Sequence, residues 1–94
     1  MAVSNETKRT HDHETIRSWV EERKARPTRV KRTGNGDDVG ILRIDFHGYG
    51  GEQDLEEISW DEFFEKFDEK RLDFLYQERT ESGEVSRFNK FVPR

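Results

Sequence analysis

Residues 58–76 constrain the fold more than any other part of this chain, because their sequence, ISWDEFFEKFDEKRLDFLY, joins a capped helix to an aromatic strand. Ser59 and Glu62 have the spacing of a capping box, in which each side chain accepts a hydrogen bond from the other residue's amide. Ile58 and Phe63 have the spacing of the hydrophobic staple that accompanies such a cap. A helix is therefore predicted to begin here, and Ser59 is assigned to the cap rather than to a nucleophile.

Aromatic residues recur along this helix at the spacing i, i+3, i+4 and i+7. They are Trp60, Phe63, Phe64 and Phe67. This spacing places all four rings on one helical face. Because burying a side chain of this size contributes about 1.5–3 kcal/mol, the face is expected to form half of a core. Trp19 is predicted to join that core, together with Leu42, Ile44 and Phe46.

The composition fits one small domain. The chain has 94 residues, of which 40% are charged and 30% hydrophobic, and it contains no cysteine. Disulfides and thiolate chemistry are therefore excluded, and no apolar run reaches the roughly 18 residues of a membrane span. We expect a cytoplasmic monomer with no membrane partner, in which residues 1–11 form a disordered tail and residues 12–94 a single α+β domain.

Hydrophobic periodicity and turn residues predict the order of elements after the tail. Asp12 is the predicted N-cap of the first helix, on which Ile16, Trp19 and Val20 share a stripe. The predicted order is α-β-β-α-β-β, with a four-stranded antiparallel sheet and both helices packed on one face. The two helix-plus-hairpin units show no sequence repeat that can be aligned. The predicted ranges are helix 13–24, strand 28–33, turn 34–38, strand 39–46, a helix from 59 to 70 or 71, strand 72–76, turn 80–84 and a last strand from 85 to 88 or on to 91.

Charge is unevenly distributed along the chain. The formal net charge is −4, but residues 1–36 contain nine Lys or Arg against five Asp or Glu, and residues 37–94 contain eight against sixteen. Six cations form a basic stretch, which consists of Arg23, Lys24, Arg26, Arg29, Lys31 and Arg32. Such a stretch is typical of phosphate contacts. The alternative is a solvated surface whose positive charge balances that of the acidic half.

Acidic residues dominate the second helix and the segment before it. This acidic block consists of Glu56, Glu57, Asp61, Glu62, Glu65, Asp68 and Glu69. It is a candidate docking face for a basic partner. Its spacing lacks the alternating ligands of a calcium loop, and Asp61 and Glu62 also suit the positive end of the helix dipole.

Four stretches of the sequence resemble a family of small uncharacterised bacterial proteins. They are LRIDF at residues 42–46, EEISWDEFFEKFDE at 56–69, FLYQE at 74–78 and FNK at 88–90. Some members of that family are labelled 1,4-alpha-glucan branching enzyme, which implies a role in glycan metabolism. A branching enzyme builds two carboxylates into a barrel several times this length, so a chain of 94 residues is too short for that catalytic site. Lys24 and Ala25 replace the glycine pair with which the family usually ends its first helix, a change expected to remove a left-handed cap.

Other motifs carry little functional signal. His11 and His13 flank Asp12, but side chains two residues apart on a helix point to different sides, so no metal site is predicted. The glycine-rich residues 47–51 lack the ending of a phosphate-binding loop. No catalytic residue, metal or cofactor is predicted.

Two functions from different classes remain. The first is a non-catalytic protein-interaction module with segregated acidic and basic faces, and the second is an accessory nucleic-acid-binding protein that uses the basic stretch. A role in glycan metabolism is a weaker third.

Overall fold

The fold is that of a computed structural model, which describes residues 6–31, 40–46 and 55–94. The elements are β1 (Lys8–Thr10), α1 (His13–Glu22), β2 (Ala25–Val30), β3 (Leu42–Phe46), β4 (Leu55–Glu57), α2 (Trp60–Glu69), β5 (Leu72–Tyr76) and β6 (Asn89–Pro93). The strands form two antiparallel three-stranded sheets, in the orders β1-β5-β6 and β3-β2-β4. The predicted α+β class is confirmed, but the single four-stranded sheet is wrong. Within the described ranges, no helix is long and apolar enough to cross a membrane.

Two short strands that the sequence analysis missed divide the sheet in two. Residues 8–10, placed in the predicted disordered tail, instead form β1 and pair with β5 from Lys8–Tyr76 to Thr10–Phe74. β4 pairs with β2 in the same way. β5 therefore has β1 on one edge and β6 on the other, so the β2–β3 hairpin has no free edge of β5 to join. The hairpin itself is confirmed, and its turn at 34–38 lies outside the described residues.

Both helices begin as predicted. The Asp12 carboxylate accepts from the Thr15 amide at 2.9 Å, and the Ser59 hydroxyl accepts from the Glu62 amide at 3.1 Å in a complete capping box. The helices end by a route that the sequence did not indicate. Lys24 and Arg71, each two residues beyond its helix, adopt the left-handed conformation with φ of 55° and 51°. The left-handed cap is therefore retained without glycine, and α1 ends two residues earlier than predicted.

β2 begins at Ala25 rather than at residue 28, and it contains Pro27. The Pro27 carbonyl accepts from the Ile58 amide at 3.1 Å, just beyond the end of β4. Because the amide and carbonyl of one strand residue point to the same side, the missing proline N–H falls past the last β2–β4 pair. Only the reciprocal hydrogen bond to the Ile58 carbonyl is absent, at the end of the β2–β4 pairing.

The structure contains an internal repeat that sequence comparison of the two halves does not reveal. Counterpart elements begin 47 residues apart, as in His13 with Trp60 and Leu42 with Asn89, and the other elements follow the same offset. The short first strand of each half pairs with the middle strand of the other half. Each sheet therefore needs residues from both halves of the chain.

One core lies between the two sheets and the helices. Ile16 and Val20 of α1 are fully buried, as are their repeat counterparts Phe63 and Phe67 of α2. Trp19 is buried among the rings of Phe46, Phe74 and Tyr76. Trp60 and Phe64 are partly buried at the edge of this cluster. The predicted inward turn of the aromatic face is thus confirmed for Phe63 and Phe67 and holds in part for Trp60 and Phe64.

A cationic cleft between two strand edges as the candidate site

A cleft of about 630 Å³ lies between β3 and β6, with the end of α2 beside it. Its described lining contains four cations and no carboxylate. The cations are Arg43, Lys66, Lys70 and Lys90, and the apolar residues are Ile41, Leu42, Ile44, Leu72 and Phe91. An apolar wall with positive charges is suited to an anionic group attached to an apolar body.

Three different elements place the cations at this cleft. Lys66 lies on α2 and is buried, and Lys70, the C-cap residue of α2, follows one turn later. Arg43 of β3 and Lys90 of β6 are exposed and occupy equivalent positions of the internal repeat. Within the described part of the chain, no carboxylate pairs with Arg43, Lys70 or Lys90. Their charges are thus directed to solvent, in a protein whose net charge is −4.

The cleft is bordered by strand edges rather than by strand faces. The consecutive residues Asn89, Lys90 and Phe91 all line it, although neighbouring side chains of a strand point to opposite faces. The Arg94 amide donates a hydrogen bond to the Arg71 carbonyl, just beyond the end of the β5–β6 ladder. The main-chain groups of successive strand residues point alternately to one side and the other. The amide and carbonyl of Lys90 therefore point toward β5, whereas those of Asn89 and Phe91 point away from it. These groups form the outer edge of β6.

The opposite edge belongs to β3 and is less accessible. The Val30 amide donates to the Ile41 carbonyl. By the same alternation, the main-chain amides and carbonyls of Leu42 and Ile44 point away from β2. Leu42 is only 4% exposed and Ile44 8%. Asn89 and Phe91 are each partly exposed. The edge of β6 is therefore the one that a ligand in the cleft can reach.

The predicted basic stretch is not a continuous cationic surface. The Arg23 side chain is 4% exposed, and burial lowers the pKa of its guanidinium. Its N–H groups donate to the carbonyls of Trp19, Glu78 and Ser86. Arg23 thus joins α1 to the segment after β5 and is a structural residue.

Two further arginines of the basic stretch are neutralised by the acidic block. Arg26 donates to Glu57 at 3.0 Å and to Asp45 at 3.2 Å, and Arg29 donates to Glu56 at 2.8 Å. Lys24 and Lys31 remain exposed, and Arg32 lies outside the described residues. The stretch therefore offers two separate described lysines rather than a phosphate-binding stripe.

The acidic block is also divided. Glu56 and Glu57 pair with β2 as described, and Glu62 belongs to the capping box. The Asp68 carboxylate accepts from Arg94 and contacts the ring of His13, both at 2.8 Å. Asp61, Glu65 and Glu69 are also exposed along α2, and they have no ion pair in the described chain.

The His11 and His13 side chains hold the N-terminal segment against the body of the protein. His11 contacts Asp73 at 3.0 Å, and His13 stacks on the Phe64 ring with centroids 4.0 Å apart. The pKa of Asp73 lies below its ordinary value, mainly because Arg9 donates a hydrogen bond to the carboxylate. No group of three metal-ligating side chains occurs in the described ranges. The glycine-rich residues 47–51 lie outside them.

No family model matches the chain, and neither the curated proteins nor the solved structures contain a significantly similar one. The cleft itself was not predicted from sequence. Its cations are separated by 23, 4 and 20 positions along the chain (Arg43, Lys66, Lys70, Lys90), within the half that is acidic overall. The one local signal is the pair Lys66 and Lys70, which lie one turn apart beside the aromatic face.

Proposed function

We propose that this protein is a small non-catalytic interaction module that binds an acidic segment of another protein in the cleft between β3 and β6. The observation that supports this proposal most strongly is the set of three cations, Arg43, Lys70 and Lys90, that have no acidic partner in the described chain and line one cleft. The apolar residue Ile41 is 48% exposed and provides contact area in the same cleft.

The chemistry of the described lining favours binding over catalysis. A catalytic site needs a nucleophile with a base, a set of metal ligands or a pair of carboxylates. The described lining contains cations, one asparagine and apolar residues. It therefore gives no support to the glycan-metabolism hypothesis. The resemblance to small bacterial proteins adds no activity to the proposal.

Nucleic-acid binding through the basic stretch is the less supported alternative. Arg23, Arg26 and Arg29 are already engaged by carbonyls or carboxylates, so a phosphate must displace those partners to bind there. Single-strand binding further requires exposed aromatic platforms. No aromatic residue is interleaved with the cations of residues 23–32.

A titration with labelled polyions tests the proposed function. Short fluorescein-labelled polyglutamate, DNA and RNA are each titrated with the protein at low and moderate salt, and the anisotropy is recorded. We expect salt-sensitive binding of polyglutamate. The double variant Lys70→Ser/Lys90→Ser should bind it about five- to tenfold more weakly, because each partly exposed ion pair contributes at most about 1 kcal/mol.

A matched control removes the same charge outside the cleft. The double variant Lys24→Ser/Lys31→Ser loses two exposed lysines of the basic stretch and should bind polyglutamate as the wild type does. If this control loses binding and the cleft variant keeps it, the cleft is not the site. If DNA or RNA binds and polyglutamate does not, the nucleic-acid alternative replaces our proposal.

A further inference from the structure

We infer that the acidic segment binds as an additional β-strand on the outer edge of β6, in an extended conformation. This inference rests on the proposed function and specifies the form of the partner. In strand addition, main-chain hydrogen bonds provide affinity, and side chains at alternate positions provide specificity.

The first argument is that β6 has unpaired main-chain groups at the cleft. The amides and carbonyls of Asn89 and Phe91 point away from β5, and neither residue makes a main-chain hydrogen bond on that side within the described chain. Both residues are partly exposed and line the cleft. An extended peptide can therefore pair with both.

The second argument is the position of Pro93 at the end of the same edge. By the alternation that directs Asn89 and Phe91 outward, the missing N–H of Pro93 also falls on the outer edge. Proline on an edge strand limits further pairing. The edge therefore accepts a short strand beside residues 89–91 and ends at Pro93, which defines where the partner strand can lie.

The third argument is the charge beside this edge. Lys90 lies on β6 itself, and Lys70 and Arg43 line the same cleft. Edge strands commonly carry lysine, which disfavours uncontrolled pairing with other strands. A strand with acidic side chains overcomes that barrier, because its carboxylates pair with these cations. The cations thus select an acidic strand over a neutral or basic one.

Hydrogen exchange with a defined peptide tests this inference. The probe is a short peptide of alternating glutamate and valine, added at millimolar concentration to the protein at low salt. We expect the amides of Asn89 and Phe91 to exchange at least about tenfold more slowly on binding, since each becomes hydrogen-bonded. The Lys90 amide is directed at β5 in the free protein and serves as the internal control.

A second peptide separates strand pairing from charge attraction. The same sequence with every residue N-methylated keeps the carboxylates but has no amide donors, and it should bind at least about tenfold more weakly. If both peptides bind equally, strand addition is wrong while the proposed function survives. If neither the peptides nor polyglutamate bind, the proposed function itself is wrong.

Two other outcomes overturn the inference. Protection of Leu42 and Ile44 instead of Asn89 and Phe91 places the peptide on β3. Protection of Asn89 and Phe91 that rises with protein concentration when no peptide is present shows that a second copy of this chain occupies the edge. Sedimentation of the free protein identifies that case.

Discussion

Lys24 and Arg71 end the two helices in a conformation that costs a residue with a Cβ about 1–2 kcal/mol. Both residues are exposed. We expect Lys24→Gly and Arg71→Gly each to raise the free energy of unfolding by about 0.5–1 kcal/mol, because glycine adopts this conformation without the steric cost but loses more entropy on folding. Urea unfolding measures the change.

Lys70 provides the matched control at a neighbouring position. Its φ is −84°, a value that any residue adopts, so Lys70→Gly gains no relief. This variant should lower the free energy of unfolding by about 0.5–1 kcal/mol. If all three glycine variants destabilise the protein equally, the left-handed caps are not strained.

Asp73 gives stability a specific dependence on pH. Its pKa is lowered in the folded protein, so the unfolded state binds more protons near that pKa. The contribution is therefore complete above the unfolded pKa, about pH 4, and is lost as the pH falls through the lower folded pKa. The difference in free energy of unfolding between the wild type and Asp73→Asn should shrink over this range in urea titrations.

A difference for Asp73→Asn that stays constant with pH would show that the contact with Arg9 does not stabilise the folded state.

At the scale of elements, β1 makes the clearest departure from the sequence-based prediction. Lys8 and Thr10 lie opposite Tyr76 and Phe74, the β5 residues directed at β1. Their amides should exchange slowly with solvent, and the amide of Arg9, which points away, should exchange quickly. Hydrogen exchange followed by NMR measures all three rates. Fast exchange at all three amides would contradict β1 and support the predicted disordered tail.

The elements with local signals were predictable, and those without were not. Ser59 and Glu62 define the start of α2 by their own chemistry, and the alternation of Phe74 with its neighbours indicates β5. Lys8–Thr10 and Leu55–Glu57 are too short to show a period and consist mainly of polar residues. They become strands because β5 and β2 each offer an edge, which is a property of the tertiary structure.

At the scale of the whole molecule, the exchange of first strands ties the two halves together. Fragments 1–47 and 48–94 should each be unfolded as monomers, since each sheet contains strands from both. Mixed together, they should recover the circular dichroism spectrum of the intact chain. A folded monomeric fragment would show that one half is a domain by itself.

The cleft also exists only at this scale. Its cations come from β3, from β6, and from α2 with its C-cap. Only Lys66 and Lys70 are close to each other in the sequence. Three of the six cations of the basic stretch, Arg23, Arg26 and Arg29, are instead used within the fold. An arginine beside a carboxylate on the neighbouring strand contributes little net charge outside, so linear charge density alone does not show which cations face solvent.

A charge exchange at the cleft tests the account most directly. The double variant Arg43→Glu/Lys90→Glu replaces two exposed cations, and its affinity is compared with that of the wild type by calorimetry. The ligands are the alternating glutamate–valine peptide and its lysine–valine counterpart. The account predicts that the wild type prefers the glutamate peptide and the variant the lysine peptide, each by about tenfold or more. An unchanged preference in the variant would contradict it.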